Sequence, residues 1–184
     1  IVKPEDVNGF ASDIYRESQR LIALVEDIIH LSRLDEGGDG LKMEPVDLLE
    51  LARQTAGRLE PVARRAEGSI QVKGSPAKVR GDEMVFNLCD NAVKYNQTGG
   101  SVTVSVEPGE HETVLTVADT GIGIPDQDRD RVFERFYRVD KSHSRQIGGT
   151  GLGLSIVKHG AIYHKAKVEL KSALGEGTTV RIVF

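Results

Sequence analysis

The sequence predicts an α+β chain, in which a long bundle-forming helix is followed by a compact domain of interleaved helices and strands. Three observations carry that expectation. Residues 5–36 contain no proline and place apolar side chains at seven-residue intervals. From residue 48 onward, segments of helical period alternate with short segments of period two. A glycine run, GGTGLGLS at 148–155, leads straight into an amphipathic segment that extends to His164.

Composition narrows the classes. With 39% hydrophobic and 28% charged residues, the 184 residues can bury an ordinary core as one compact domain plus a smaller piece. A formal net charge of −4 and a pI near 5.8 exclude a general nucleic-acid binder, so any anion site must be local. Cys89 is the single cysteine, which excludes an internal disulfide framework and suits a reducing cytosolic compartment. No apolar run approaches the roughly 20 residues that a membrane-spanning helix needs. The chain begins at Ile1 and its first helix has no evident partner, so the sequence reads as part of something longer.

In the first helix, Val7, Ile14, Leu21 and Ile28 form one apolar register and Phe10, Leu24 and Leu31 the other, interrupted by Gly9 and Glu17. Such a stripe is the seam of a coiled coil or helical bundle and requires a partner. The alternative, packing on its own domain, is disfavoured by Gly37, Gly38, Asp39 and Gly40, a hinge between residues 1–40 and a domain at 41–184. Asp47 and Glu50 make a D-x-x-E helix start. Helical period then continues to residue 66, with a bend expected at Pro61 and a stop at Gly68. Strands are expected at 69–73 and near 78–80, after which Asp82 caps a helix running to Tyr95. Alternation at 101–106 and 113–119 gives two strands joined through Pro108, Gly109 and Glu110. Residues 126–146 are rich in Asp and Arg, and their apolar residues are mainly Val132, Phe133, Phe136 and Tyr137. A connection of that length is a functional lid or a disordered segment. A helix from Leu152, a strand at 167–171, a turn through Gly175, Glu176 and Gly177, and a last strand with Val180, Ile182 and Phe184 complete the chain.

The helix ending at Tyr95 carries the first chemistry. Asn87, Asp90, Asn91, Lys94 and Tyr95 share an arc of roughly 140° on a helical projection. Val85, Phe86, Leu88, Cys89, Ala92 and Val93 lie opposite, and Met84 alone is out of place. A solvated face favours Glu, Lys or Arg, whereas Asn costs several tenths of a kcal/mol in a helix interior. Two carboxamides one turn apart therefore point to a site, with a merely polar face as the plain alternative. Carboxamide oxygens suit Mg²⁺, which keeps several waters and bridges to substrate phosphates. Lys94 would add positive charge there, and Tyr95 a hydroxyl or a ring.

Asp119 ends an apolar strand just before Gly121 and Gly123. A carboxylate so placed can accept a hydrogen bond from an exocyclic amine while glycine backbone approaches a ring. That chemistry selects adenine, whose N6 donates, over guanine, whose O6 accepts. A turn aspartate is the equal alternative. In the glycine run, amides crowded at a helix start bind anions, because first-turn N–H groups lack intrahelical partners and the helix dipole favours negative charge. The run matches neither G-x-x-x-x-G-K-[ST] nor G-x-G-x-x-G, so alone it reads equally well as a flexible turn.

In this order, N-x-x-D-N-A-x-K-Y, D-x-G-x-G and G-x-G-x-G resemble the catalytic, ATP-binding domain of bacterial sensor histidine kinases of two-component systems, within the gyrase, Hsp90, MutL and histidine-kinase ATPase superfamily. Residues 87–95 resemble the N box, 119–123 the G1 box, VFERFYR at 132–138 the F box and 149–153 the G2 box. LSRLD at 31–35 is similar to the second helix of the dimerisation and phosphotransfer domain that precedes the ATP domain in these kinases. The resemblance implies a two-layer α/β sandwich of the Bergerat type, a mixed sheet with helices on one face and ATP under a mobile loop. It implies that Asn91 coordinates Mg²⁺ and that Asn87 helps with metal and phosphates, with Lys94 as the third catalytic residue. Asp119, Gly121 and Gly123 would hold adenine, and Lys94, Tyr95 and Arg138 would contact phosphate or ribose. Gly149, Gly151, Leu152 and Gly153 would hold the triphosphate, with Lys141 and Arg145 adding charge from the lid at lower rank.

The implied partners are ATP, an acceptor histidine on the parent's first bundle helix, a cognate response regulator and a second copy in a parent homodimer, with no nucleic acid. The implied location is a cytoplasmic portion of a parent anchored in the bacterial inner membrane. Relatives that hydrolyse ATP with water carry a glutamate general base where this chain has Asn87, which cannot take up a proton. Bound ATP should then turn over slowly until a histidine imidazole arrives. The kinases' acceptor motif resembles H-E-x-[RK]-[ST]-P, and none of His30, His111, His143, His159 and His164 has that context, so the nucleophile is expected outside the chain. The other readings are a superfamily ATPase or serine kinase, and a non-catalytic nucleotide-binding or dimerisation module.

Overall fold

The computed structural model describes residues 4–36, 45–80, 83–139 and 149–184. The hinge glycines, Asp82, Lys141, His143 and Arg145 fall outside the described residues. The first helix, α1 (Pro4–Asp35), is continuous for 32 residues. Much of its apolar stripe is exposed, including Phe10, Ile14, Leu21 and Ile28. Its last turns are not: Leu31 and Leu34 are buried with Leu152 and Ile156, and Leu24 and Tyr163 pack against them. Packing of the helix on its own chain, disfavoured from sequence, therefore holds at this end.

The strand β1 (Pro45–Asp47) leads directly into α2 (Leu48–Arg65). Asp47 starts this helix as expected, its Oδ1 accepting hydrogen bonds from the Leu49 and Glu50 amides at 2.9 and 3.3 Å. The helix runs on through Pro61, which faces solvent together with Gly57, so the Gly57 carbonyl that proline leaves without an amide partner is open to water. At its end the left-handed residue is Glu67, with φ of 57°, and not Gly68. Gly68 is needed for a different reason: a β-carbon there would lie 2.8 Å from the Gly100 carbonyl oxygen.

After β2 (Ser69–Gly74) and β3 (Lys78–Arg80), which pairs with β1, the chain enters α3 (Glu83–Lys94). The antiparallel pair β4 (Ser101–Pro108) and β5 (Thr113–Asp119) follows. Then come α4 (Gly153–Tyr163), β6 (Lys167–Ala173) and β7 (Gly177–Val183). The main sheet has the order β2-β4-β5-β7-β6, with β2 parallel to β4 and every other pair antiparallel.

Period-two alternation sends Val102, Val104, Val106, Leu115, Val117, Val180 and Ile182 to one face, where they form a single core with α2, α3 and α4. The helices thus cover one side of a mixed sheet, as the resemblance implied. Cys89 is fully buried in this core, and burial pushes its thiol up to about 12. The helix projection of α3 needs two corrections. Met84, assigned to the polar arc, is buried beside Gly160 of α4, and Phe86, assigned to the apolar arc, is exposed. The reason is that α3 packs against α4 as well as the sheet, so its buried surface wraps around the helix.

Of the expected lid, residues 126–139 are folded. Short 3₁₀ turns occupy Asp126–Asp128 and Arg131–Phe133, and the second packs on α4. Buried Asp128 accepts a hydrogen bond from the Tyr137 hydroxyl, and the Arg131 guanidinium lies 4.2 Å from the centroid of the Tyr137 ring.

Candidate nucleotide-binding site

The polar arc of α3 meets the start of α4. A β-carbon placed at Gly153 would lie 3.1 Å from Asn91 Nδ2, 3.5 Å from Asn87 Oδ1 and 3.6 Å from Asn91 Oδ1. Both carboxamides thus converge on the first residue of α4, where no side chain caps the helix. That combination, hard neutral oxygens beside a helix N-terminus, suits a cation-bridged phosphate. Tyr95 meets the same loop, since a β-carbon at Gly149 would lie 3.0 Å from its hydroxyl. Lys94 is held within its own helix by an ion pair to Asp90, Nζ to Oδ2 at 2.6 Å. Among the described residues no cluster of three His, Cys, Asp or Glu side chains could hold a metal ion. A divalent cation here would rest on one or two carboxamides and rely on phosphate oxygens and water, which is the habit of Mg²⁺.

The rest of the glycine loop is strapped to the segment before it. Gly151 has φ of +76°, its carbonyl accepts a hydrogen bond from the Phe136 amide at 3.0 Å, and a β-carbon there would lie 3.1 Å from the Phe136 backbone. Arg138 is half-buried, two residues beyond Phe136. The structure places the Leu152 side chain away from the carboxamides, fully buried among Leu31, Leu34 and Ile156. This side chain anchors the loop hydrophobically.

Asp119 sits at the end of β5. Its Oδ1 accepts two amides, from Gly121 at 2.8 Å and from Thr178 at 3.1 Å. Burial raises this carboxyl above its ordinary value, while those two hydrogen bonds pull the other way. The glycines of D-x-G-x-G serve close backbone packing. A β-carbon at Gly121 would lie 2.3 Å from the Tyr95 carbonyl oxygen, and one at Gly123, with φ of +67°, 1.9 Å from that of Ala173. The Ile124 amide donates to Ser172 Oγ at 2.8 Å, and Ser172 donates to the Gly177 carbonyl at 2.7 Å. A cleft of about 370 Å³ opens beside Asp119, lined among others by Arg129, Leu170, Ser172, Gly177 and Thr178.

Sequence reasoning did not reach Thr178 and Ser172, because only strand register brings them beside Asp119. It also missed the contacts of α1. Asp27 accepts a hydrogen bond from the Thr150 hydroxyl at 2.7 Å, inside the glycine loop. Asp35 pairs with Arg135 at 2.7 Å and with His159 Nδ1 at 3.0 Å. One signal was available: Leu24, Asp27, Leu31 and Leu34 are spaced three, four and three apart, so the acid interrupts an apolar face.

The fold and these two corners define an α/β-sandwich domain with a carboxamide corner where α3 meets the start of α4 and a half-buried carboxylate at one end of the sheet. The family model of histidine kinase-, DNA gyrase B- and HSP90-like ATPases matches residues 77–184, and this chain belongs to that family. It is 38% identical to the sensor-like histidine kinase SenX3 of Mycolicibacterium smegmatis over 183 residues, covering 96% of this chain and 47% of that protein. The chain thus spans about half the length of that relative. Among solved structures, a mycobacterial sensor histidine kinase, MprB, is similar with TM-score 0.66 and 33% identity over 78% of this chain and 97% of that one. Full-length ShkA in complex with AMPPNP is similar with TM-score 0.79 and 27% identity, over 100% of this chain and 39% of that one.

Proposed function

We propose that this chain binds Mg-ATP and transfers the γ-phosphoryl group to a histidine on another helix of a sensor histidine kinase, for relay to a response regulator. The observation that carries this reading is the convergence of Asn87 and Asn91 on Gly153 at the start of α4, together with Asp119, which ends β5 as a half-buried carboxylate. The similarity to SenX3, a sensor-like histidine kinase, and to the sensor histidine kinase MprB supports the choice of phosphoryl acceptor. Full-length ShkA was solved with AMPPNP, an ATP analogue, which supports the nucleotide.

In this reading the α4 amides and the glycine loop receive the triphosphate, and Asn91, helped by Asn87, would hold the metal. Mg²⁺ supplies neutralising charge to the phosphates when bound. Lys94 exchanges its ion pair with Asp90 for a phosphate oxygen, and Tyr95 steadies the loop. Asp119 accepts the adenine amine. Asn87 cannot abstract a proton from water, so catalysis rests on in-line positioning and charge neutralisation, with the imidazole as nucleophile. The exposed stripe of α1 fits a bundle seam in a homodimeric parent, with the helix and the ATP domain divided near residue 40. The parent would be anchored in the inner membrane with this part in the cytoplasm; among the described residues no helix is long and apolar enough to cross a membrane.

The test is to mix the chain with γ-labelled ATP, Mg²⁺ and a separate peptide spanning a kinase first helix with its histidine. Acid-labile label on the peptide is expected and none on this chain. Label retained on a histidine of this chain, or rapid release of free phosphate without acceptor, contradicts the reading.

A further inference from the structure

The docked end of α1 brings a carboxylate to the glycine loop. The Thr150 hydroxyl donates to Asp27 Oδ2 of α1 at 2.7 Å. The same Thr150 oxygen accepts the amide of Leu152, the residue that opens α4, at 3.3 Å. The Leu152 side chain is buried with Leu31 and Leu34 of α1. Backbone and side chain at the start of α4 are therefore both tied to α1. The next residue, Gly153, is the one on which Asn87 and Asn91 converge.

Asp27 also feels the polar arc of α3. Lys94 and Asp90 act on its charge in opposite directions, His30 of α1 adds a smaller pull in the direction of Lys94, and burial raises the carboxyl above its ordinary 3.8. Lys94 is already paired with Asp90 at 2.6 Å. A helix N-terminus attracts anions. In the docked state an anion of the chain's own already stands there, held through Thr150. A triphosphate brought to the same corner meets a half-buried like charge, and partly buried charges are screened less than exposed ones.

We propose that Asp27 is an internal competitor of the triphosphate: docking of the last turns of α1 places its carboxylate at the loop that receives the phosphates, so nucleotide binding and α1 docking weaken each other. This rests on the reading of the glycine loop as the triphosphate cradle. Linkage makes the antagonism reciprocal, so the factor that docking takes from ATP affinity is the factor that ATP takes from docking. ATP loading then loosens α1 from α4, and the Leu31–Leu34 cluster and the Asp35 pairs draw it back when the nucleotide leaves.

The experiment is calorimetric titration of the wild-type chain and Asp27→Asn with Mg-ATP and with adenosine, with thermal melts to verify folding. Asp27→Asn keeps an acceptor for the Thr150 hydroxyl and removes only the charge. It should tighten Mg-ATP binding about three- to tenfold at low ionic strength, the range of one charge at a helix N-terminus. The gain should shrink at about 1 M salt, where the Debye length is about 3 Å. Adenosine, which carries no phosphate, should bind both chains alike. In the wild type, Mg-ATP should speed amide hydrogen exchange at residues 24–35. The proposal is overturned if Asp27→Asn leaves Mg-ATP affinity unchanged or weakens it, if it tightens adenosine by the same factor, or if Mg-ATP slows exchange in α1. Failure of both chains to bind Mg-ATP overturns the nucleotide reading itself.

Discussion

In the proposed site, Asn91 and Asp119 are the residues given the most chemistry. Asn91 stands out as a candidate in the sequence because an asparagine one turn from Asn87 is a poor choice for a merely solvated helix face. The sequence could not show that both amides meet Gly153, since that contact joins segments more than 60 positions apart. Asn91→Ala should abolish the Mg²⁺-dependent part of ATP binding and leave the thermal melt nearly unchanged, because the side chain is only partly buried; calorimetry with and without the cation checks this. Burial holds the Asp119 carboxyl above the ordinary 3.8. The native state thus binds its proton more tightly than the unfolded chain, so Asp119 favours folding at low pH and this contribution is lost as pH rises through the folded value. In the proposed binding mode the trend is opposite, because an ionised carboxylate is the better acceptor for an adenine amine. ATP affinity should fall as pH drops through a value above 3.8, and Asp119→Asn should flatten that dependence in calorimetric titrations.

At the scale of elements, nearly every helix and strand was legible from period and caps. What decides the site is how they abut, and there the signals were weaker. Glycines in D-x-G-x-G looked like room for a base, yet Gly121 and Gly123 make room for the Tyr95 and Ala173 carbonyls. Gly177 belongs with them: φ is +93° and a β-carbon would lie 2.1 Å from the Asp119 carbonyl oxygen. Gly123→Ala and Gly177→Ala should each destabilise the domain by about 1–3 kcal/mol or more, and Gly177→Ala should also displace the Thr178 amide from Asp119 and weaken nucleotide binding. Denaturant unfolding read beside ATP titration separates the two effects. The parallel pairing of β2 with β4 and the folding of residues 126–139 also escaped the sequence, because both depend on contacts with distant segments.

For the molecule as a whole, α1 is attached through a small cluster separate from the main core, together with the Asp27–Thr150 hydrogen bond and the Asp35 pairs. Exposed ion pairs of this kind contribute about 0–1 kcal/mol each. The ATP-binding domain should therefore keep its fold without α1. The exposed Phe10, Ile14, Leu21 and Ile28 should instead drive self-association. Light scattering should show the full chain as an oligomer and a chain starting at Leu41 as a monomer that still binds ATP. Equal monomeric masses for the two would contradict a partner-seeking seam. The seven-residue repeat is what suggests a seam, whereas the docking of the last turns of α1 was not legible, because the glycine-rich sequence at 37–40 reads as a hinge.

The most direct test of the account is a crystal structure of the chain with Mg²⁺ and a non-hydrolysable ATP analogue. It should show the cation on Asn91 Oδ1 and the phosphates at the α4 N-terminus, with the adenine amine on Asp119. A nucleotide seated elsewhere, or a metal that touches neither Asn87 nor Asn91, would contradict it.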